Sequence, residues 1–133
     1  MHMTDQKAPV AAAVIYAKDV SRLSAFYARV ANLAIAHEEA GHASLGSAAL
    51  QLFIVAMNPH VAARVQIAQP PVPRENTALK FIFPVASLSA AREFAAEANG
   101  ALKPAESEWT FDDHRHCDGL DPEGNVFQLR ERA

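Results

Sequence analysis

The stretch "DPEGNVFQLRE" (Asp121–Glu131) closes the chain and carries its clearest indication of a fold. Its first five residues are types that favour tight turns, and the residues after them are typical of a strand. Gln128 stands in the middle of that strand between apolar neighbours, where a polar side chain needs a partner. The sequence therefore predicts a turn, a final strand, and a functional or structural reason for Gln128.

The composition is that of one globular domain covering residues 1–133. Half of the residues are hydrophobic, 20% are charged, and the net charge of −3 comes without a run of like charges. This balance excludes nucleic acid and an anionic membrane surface as expected partners. The apolar run Ala8–Ala17 is too short to span a bilayer, and we interpret it as a strand rather than a signal peptide. A single cysteine, Cys117, excludes an internal disulfide and favours the cytoplasm.

Hydrophobic periodicity predicts a β-α-β-β-β unit in residues 10–57. The run "VAAAVIYA" is typical of a strand, and Asp19 is a candidate N-cap for the helix that follows. One helical stripe carries the apolar residues Val20, Leu23, Phe26, Val30 and Leu33. Three short strands are then predicted in residues 34–41, 42–47 and 48–56, with turns near Gly41 and Ser47.

A proline-rich connector, residues 58–76, separates this unit from a second one in residues 77–131. The connector has room for a short helix within "VAARVQIA". The second unit begins with the strand "TALKFIFPVA" and continues with a helix that Ser87 caps and Gly100 ends. Three strand candidates follow, "ALKPA", "EWTFDDHRHCDGL" and "NVFQLRE".

The two units repeat one another. A shift of 68 residues aligns Val20 with Leu88 in the helices, and a shift of 77 aligns Gln51 with Gln128 in the last strands. The motif "DPEGNVFQL", together with the helix entry "KDVSRLSAFYARV", resembles the vicinal oxygen chelate superfamily of glyoxalases, bleomycin- and fosfomycin-resistance proteins and extradiol dioxygenases. The resemblance implies an α+β fold of two βαβββ modules that form facing half-open sheets around a cavity.

Metal-dependent members of that superfamily hold a divalent ion with residues from the first and fourth strands of each module. By the resemblance, those four positions are Ala12, Gln51, Lys80 and Gln128 here. Alanine has no donor atom, lysine is cationic, and glutamine offers only a neutral oxygen. We therefore expect no metal at these positions and no cofactor.

Other polar residues supply candidate chemistry. On one strand, His114, His116 and Asp118 would share a face, and three interpretations remain open: a metal pair without an obvious third ligand, a polar lining of the cavity, or plain surface. His116 is the candidate general base, and Cys117 is predicted to be a core thiol. His37, His42 and His60 are predicted to lie on the surface. For Lys80, a ligand anion, a nearby carboxylate and an extended path to solvent all remain open.

The predicted ligand-binding residues are Tyr16, Gln51, Phe53, Lys80, Trp109, His116 and Gln128. The three aromatic rings either form a wall for a flat or apolar ligand or pack in the core. Three functions compete. The first is a metal-free, homodimeric protein that binds a small molecule between its modules, as bleomycin-resistance proteins do. The second is an enzyme, a glyoxalase-like lyase or isomerase rather than a dioxygenase, with His116, Lys80 or Asp118 in acid–base roles. The third is an interaction module with a vestigial cavity.

Overall fold

A computed structural model of the chain describes residues 9–74 and 76–133. The first module consists of β1 (Ala11–Ala17), α1 (Val20–Val30), β2 (Ala34–Glu38), β3 (His42–Gly46) and β4 (Leu50–Ala56). Its four strands lie in the order β1-β4-β3-β2, with β1 parallel to β4 and the other neighbours antiparallel. A short helix, α2 (Pro59–Ala62), follows in the connector.

The second module repeats this arrangement with one more strand. Its elements are β5 (Ile82–Pro84), α3 (Leu88–Glu97), β6 (Ala101–Leu102), β7 (Trp109–Phe111), β8 (His114–Leu120) and β9 (Val126–Arg132). The sheet order is β5-β9-β8-β6, and β7 also pairs with β8. Two mixed sheets with helices on them confirm the predicted α+β fold of two βαβββ modules.

Both predicted helix starts are confirmed. The Asp19 side chain accepts a hydrogen bond from the Arg22 amide, and the Ser87 hydroxyl accepts one from the Ala90 amide. Each cap satisfies an N–H group that has no partner inside its helix. The helices therefore begin where the local chemistry of the sequence places them.

The second module departs from prediction at two strands. "EWTFDDHRHCDGL" forms the hairpin β7–β8 rather than one strand, because Asp112 and Asp113 both adopt positive φ and reverse the chain. The strand predicted in residues 77–86 is reduced to Ile82–Pro84, which pairs with β9 alone. Proline has no N–H to donate, so it is confined to such edge strands. The connector helix also lies earlier than predicted, because Asn58 caps it and Pro59 begins it.

The helices cover one face of each sheet, and the core lies between them. In the first sheet, Leu45, Leu52 and Ile54 are fully buried on the helix side. The opposite face, called here the inner face, carries the alternate residues of each strand. The two modules meet through α1 and α3, where the Arg29 guanidinium lies 2.7 Å from the Glu97 carboxylate and 4.5 Å from the centre of the Phe94 ring.

The turn at the start of the closing motif fastens the second module to the first. Asp121 is fully buried and accepts a 2.7 Å hydrogen bond from the Tyr27 hydroxyl in α1. The Glu123 carboxylate accepts hydrogen bonds from the backbone amides of Lys18 and Asp19, at 2.8–3.0 Å. These contacts, called here the closing clasp, show that the motif does more than set the last strand.

Gly124 permits this clasp. It has a φ of +84°, and a Cβ atom there would lie 2.3 Å from the Val72 carbonyl oxygen. Only glycine combines that backbone conformation with so close an approach. The connector can therefore lie directly against the turn, where the Arg74 amide bonds to the Gly124 carbonyl.

Within the described residues, each helix is too short and too polar to cross a lipid bilayer.

Candidate functional site

The structure distributes the predicted binding residues over four places. Tyr16 lines a cleft between the modules, and Gln51 lines a separate hollow of about 880 Å³ on the first sheet. Phe53 lies half-buried on the inner face of the first sheet, opposite Val14 and Ser44. The remaining four, Lys80, Trp109, His116 and Gln128, come together on the inner face of the second sheet.

Gln128 occupies the centre of a row of polar side chains on that second inner face. Its amide nitrogen donates to Asp118 at 3.0 Å, and its carbonyl oxygen lies 2.8 Å from Nδ1 of His116. The Lys80 ammonium donates to both Asp118 oxygens at 3.0 and 3.1 Å. These four residues, called here the polar row, give Gln128 the partner that its sequence position demands. His116 and Gln128 are only 3% and 7% exposed.

His116 has no free ring nitrogen. Its Nε2 lies 3.0 Å from the Phe111 carbonyl oxygen, while Nδ1 faces the Gln128 carbonyl oxygen. Each ring nitrogen therefore already faces an oxygen that can accept a hydrogen bond. The Trp109 ring stacks on the imidazole at 5.6 Å between centroids and 13° between planes. A histidine held in this way is poorly placed to accept a proton from a ligand.

Lys80 does not lie at the strand position that the sequence predicts for it. The fourth-strand residues Gln51 and Gln128 pair with Ala12 and Ile82 respectively, so Lys80 lies two residues away from the position beside Gln128. It still points to the inner face, because residues two apart in an extended chain share a side. Of the alternatives open for Lys80, the nearby carboxylate is the one found, and that carboxylate is Asp118.

Strand pairing puts Ile82, rather than the predicted Lys80, at the superfamily position beside Gln128, and the side chains at and beside these positions do not suit a divalent ion. Ala12 offers no ligand atom, and both hydrogen-bonding ends of the Gln128 amide are already occupied by His116 and Asp118. Gln51 is an exposed neutral amide whose nitrogen lies 3.5 Å from the Ser44 hydroxyl. Lys80 contributes a positive charge that repels a cation. Hard cations favour anionic oxygens, and these four positions supply none.

A second concave feature is the cleft between the modules, which Tyr16 lines. It encloses about 640 Å³ between β1, the connector and the segment that enters β5. Its walls are mostly apolar and aromatic, including Val14, Tyr16 and Phe81. Ligand sites commonly have such a volume and such walls, with a few polar groups that fix orientation.

Arg74 brings a positive charge to this cleft. Its Nε donates to the Glu123 carbonyl oxygen at 3.1 Å, and its Nη2 lies 3.7 Å from the Glu123 carboxylate. Nη2 is buried without a hydrogen-bond partner. Sequence reasoning missed Arg74 because it assigned the connector no role beyond linkage. The signal that was available is a lone arginine beside prolines, directly before the second module.

Cys117 is confirmed as a core thiol. It is fully buried on the helix side of β8, opposite Leu129, with its sulfur 3.3 Å from the Lys103 carbonyl oxygen. Burial raises the pKa of the thiol above its ordinary value, and Arg92 nearby opposes this only in part. A thiol with a raised pKa forms little of the reactive thiolate.

Comparison with known proteins gives the fold. No family profile matches the sequence, and no curated protein matches it. A glyoxalase/bleomycin resistance protein/dioxygenase family enzyme from Burkholderia phytofirmans PsJN has a similar structure, with a TM-score of 0.67 and 18% identity over 95% of this chain and 100% of that one. The bleomycin-binding protein of Streptomyces verticillus, solved with copper(II)-bleomycin, gives a TM-score of 0.57 and 19% identity over 93% and 96%.

A genomically encoded fosfomycin resistance protein from Listeria monocytogenes is similar as well, with a TM-score of 0.59 and 14% identity over 96% of this chain and 94% of that chain. Every one of these likenesses extends over nearly the whole length of both proteins. The chain therefore has the fold of the glyoxalase and bleomycin-resistance proteins, as the resemblance in its sequence predicts.

Proposed function

We propose that this chain is a small-molecule-binding protein of the glyoxalase/bleomycin-resistance kind within the vicinal oxygen chelate superfamily. It binds its ligand in the cleft between the two modules and uses no metal at the superfamily positions. The observation that carries the proposal is the cleft itself, which has a volume of about 640 Å³ and mostly apolar walls that include Tyr16 and Phe81. The fold shared with a bleomycin-binding protein supports it.

The walls of the cleft define the class of ligand. Aromatic rings at Tyr16 and Phe81 favour a flat, apolar body. Arg74 adds one cationic group, and Asn125 and Thr77 add neutral polar groups. A flat ligand with a single carboxylate, sulfonate or carbonyl group fits this combination, because a buried guanidinium nitrogen gains an acceptor when such a group binds.

The polar row favours a protein that binds its ligand without catalysing a reaction. Both ring nitrogens of His116 already face protein oxygens, and Lys80 is held by Asp118, so neither candidate acid–base residue is free to act on a ligand. The lyase or isomerase alternative needs a group free to move a proton. The buried, unpaired thiol of Cys117 fits a reducing compartment, and we propose the cytoplasm.

The cleft is tested by titration with 1-anilinonaphthalene-8-sulfonate, which fluoresces in apolar sites. We expect saturable binding, and we expect Val14→Glu to weaken it at least about tenfold by placing a like charge on the cleft wall. Val10→Glu is the matched control. Val10 and Val14 are similarly exposed, at 41% and 48%, but Val10 lines the hollow on the first sheet and not the cleft. Loss of binding in Val10→Glu alone would place the site in that hollow, and no binding at all would favour an interaction module.

A second pair of variants separates the two cations. Arg74→Met should weaken the anionic probe several-fold and leave its neutral analogue, N-phenyl-1-naphthylamine, unchanged. Lys80→Met should not discriminate between the probes, because Lys80 lies outside the cleft, paired with Asp118 on the polar row. If Lys80→Met discriminates and Arg74→Met does not, the ligand anion lies on the polar row instead.

We also propose that the protein is a homodimer. Large apolar side chains lie exposed on both inner faces, and Tyr16 and Phe111 are 62% and 68% exposed. Exposed apolar patches of this kind mark association surfaces. Sedimentation equilibrium should show a dimer, and Phe111→Lys should weaken it at least about tenfold, since a buried lysine is costly. Val72→Lys, an exposed apolar residue of the connector, should leave the dimer intact; equal effects of both variants would contradict the proposed interface.

A further inference from the structure

Three potential metal ligands converge at the end of the β2–β3 hairpin. Nε2 of His37 lies 2.6 Å from Oε2 of Glu39, and Nε2 of His42 lies 3.8 Å from the same oxygen. The ligand atoms of all three residues lie within 4.8 Å of one another. In residues 9–74 and 76–133, this is the one group of three or more such side chains close enough to share an ion.

An irregularity in β2 creates this convergence. Ile35 pairs with Leu45, but the register then shifts, and His37 pairs with Ser44. In a regular ladder His37 would oppose Ala43, whose side chain points to the core. The bulge therefore moves His37 to the inner-face side, which His42 also occupies. The two imidazole rings end 5.2 Å apart between centroids.

The spacing suits a small tetrahedral ion. Zinc–nitrogen and zinc–oxygen bonds of about 2.0–2.2 Å separate neighbouring ligand atoms by about 3.3 Å. The two measured separations of 2.6 and 3.8 Å bracket that value. Small rotations of three side chains at the surface would equalise them. Two imidazoles and one carboxylate are also ligand types that zinc accepts readily.

We propose that the β2–β3 hairpin binds one Zn²⁺ ion through His37, Glu39 and His42, with water in the fourth position. This site is separate from the four superfamily positions and from the cleft. The charge fits as well, because Glu39 supplies an anionic oxygen to the cation.

The proposal is tested by calorimetric titration of the full chain with Zn²⁺, repeated with Co²⁺ to record the visible absorption of a tetrahedral site. We expect one equivalent bound. His37→Ala and His42→Ala should each weaken binding by more than about tenfold, because each removes a direct ligand rather than an outer-shell partner. The matched control is His60→Ala, an exposed histidine outside the cluster, which should change nothing. A His2→Ala variant accounts for the terminal histidine, which lies outside the described residues.

Two results would overturn the proposal. Binding that is weaker than about 1 mM in the unaltered chain would show that the three side chains do not act as a site. Binding that falls equally in His60→Ala and His42→Ala, or that survives in a His37→Ala/His42→Ala double variant, would place the ion elsewhere. The Val14→Glu variant should bind Zn²⁺ normally, which separates this site from the ligand cleft.

Discussion

Replacing Asp121 with alanine is expected to lower the free energy of unfolding by about 3 to 5 kcal/mol. The Asp121 carboxylate accepts four hydrogen bonds at 2.7–3.0 Å, from the Tyr27 hydroxyl, the Glu123 amide, and the backbone and side-chain amides of Asn125. Alanine removes all four acceptor contacts and leaves a buried tyrosine hydroxyl without a partner. Urea denaturation followed by circular dichroism measures the change.

Two milder variants control this prediction. Tyr27→Phe removes one of the four donors and should lower the free energy of unfolding by about 1 to 1.5 kcal/mol. Asp121→Asn keeps the acceptor for the two backbone amides, so its loss should lie between those of Tyr27→Phe and Asp121→Ala. A loss below about 1 kcal/mol in Asp121→Ala would contradict a stabilising role for the closing clasp.

The pH dependence of Asp121 has a definite sign. Burial raises the pKa of this carboxyl above its ordinary value of 3.8, although the Tyr27 and Asn125 hydrogen bonds lower it in part. A raised folded-state pKa contributes stability that is fully present below 3.8 and is lost as the pH rises through the folded value. The stability advantage of the unaltered chain over Asp121→Asn should therefore widen on acidification.

Converting Gln128 to glutamate is expected to destabilise the protein by about 2 to 4 kcal/mol at neutral pH. The Gln128 amide nitrogen lies 3.0 Å from Asp118, so glutamate would place two carboxylates side by side on a largely buried face. Lys80 and His116 flank the pair and offset part of the repulsion. Because like charge raises the pKa of such a pair, the deficit should shrink as the pH falls.

The other module supplies a matched control for this substitution. Gln51 is the repeat partner of Gln128, but it is exposed and its amide contacts only the Ser44 hydroxyl. Gln51→Glu should therefore change stability by no more than about 0.5 kcal/mol. Chemical denaturation of both variants between acid and neutral pH makes the comparison. Equal costs at the two positions would mean that the polar row does not determine the effect.

Local chemistry predicts much of this fold. The caps at Asp19 and Ser87 begin both helices as expected, and the repeat of the two units indicates the paired sheets. The β7–β8 hairpin was missed because its turn is Asp112–Asp113. Two aspartates tolerate positive φ less well than glycine, so they give a weak turn signal.

The sequence predicted which side chains of the candidate site share a face of the sheet, but not which of them bond to one another. Strand alternation places His116 and Asp118 on one side, and the side of Lys80 follows from its distance to Ile82. The hydrogen bond between Lys80 and Asp118 joins residues 38 positions apart in sequence. It depends on the register of β5 on β9, which places Ile82, rather than Lys80, beside Gln128. A cavity between the modules was predicted, but the part that the connector plays in lining the cleft was missed, because those walls form only when the connector packs between the modules.

The closing clasp also bears on folding during synthesis, because it joins two parts of the chain that are made far apart in time. The Lys18 and Asp19 amides, at the entrance of the first helix, obtain their carboxylate from Glu123, which the ribosome adds more than a hundred residues later. Contacts between such distant positions form late, because the intervening chain must close first. The amides of Lys18 and Asp19 therefore lack their carboxylate acceptor until Glu123, just before the last strand, has been made.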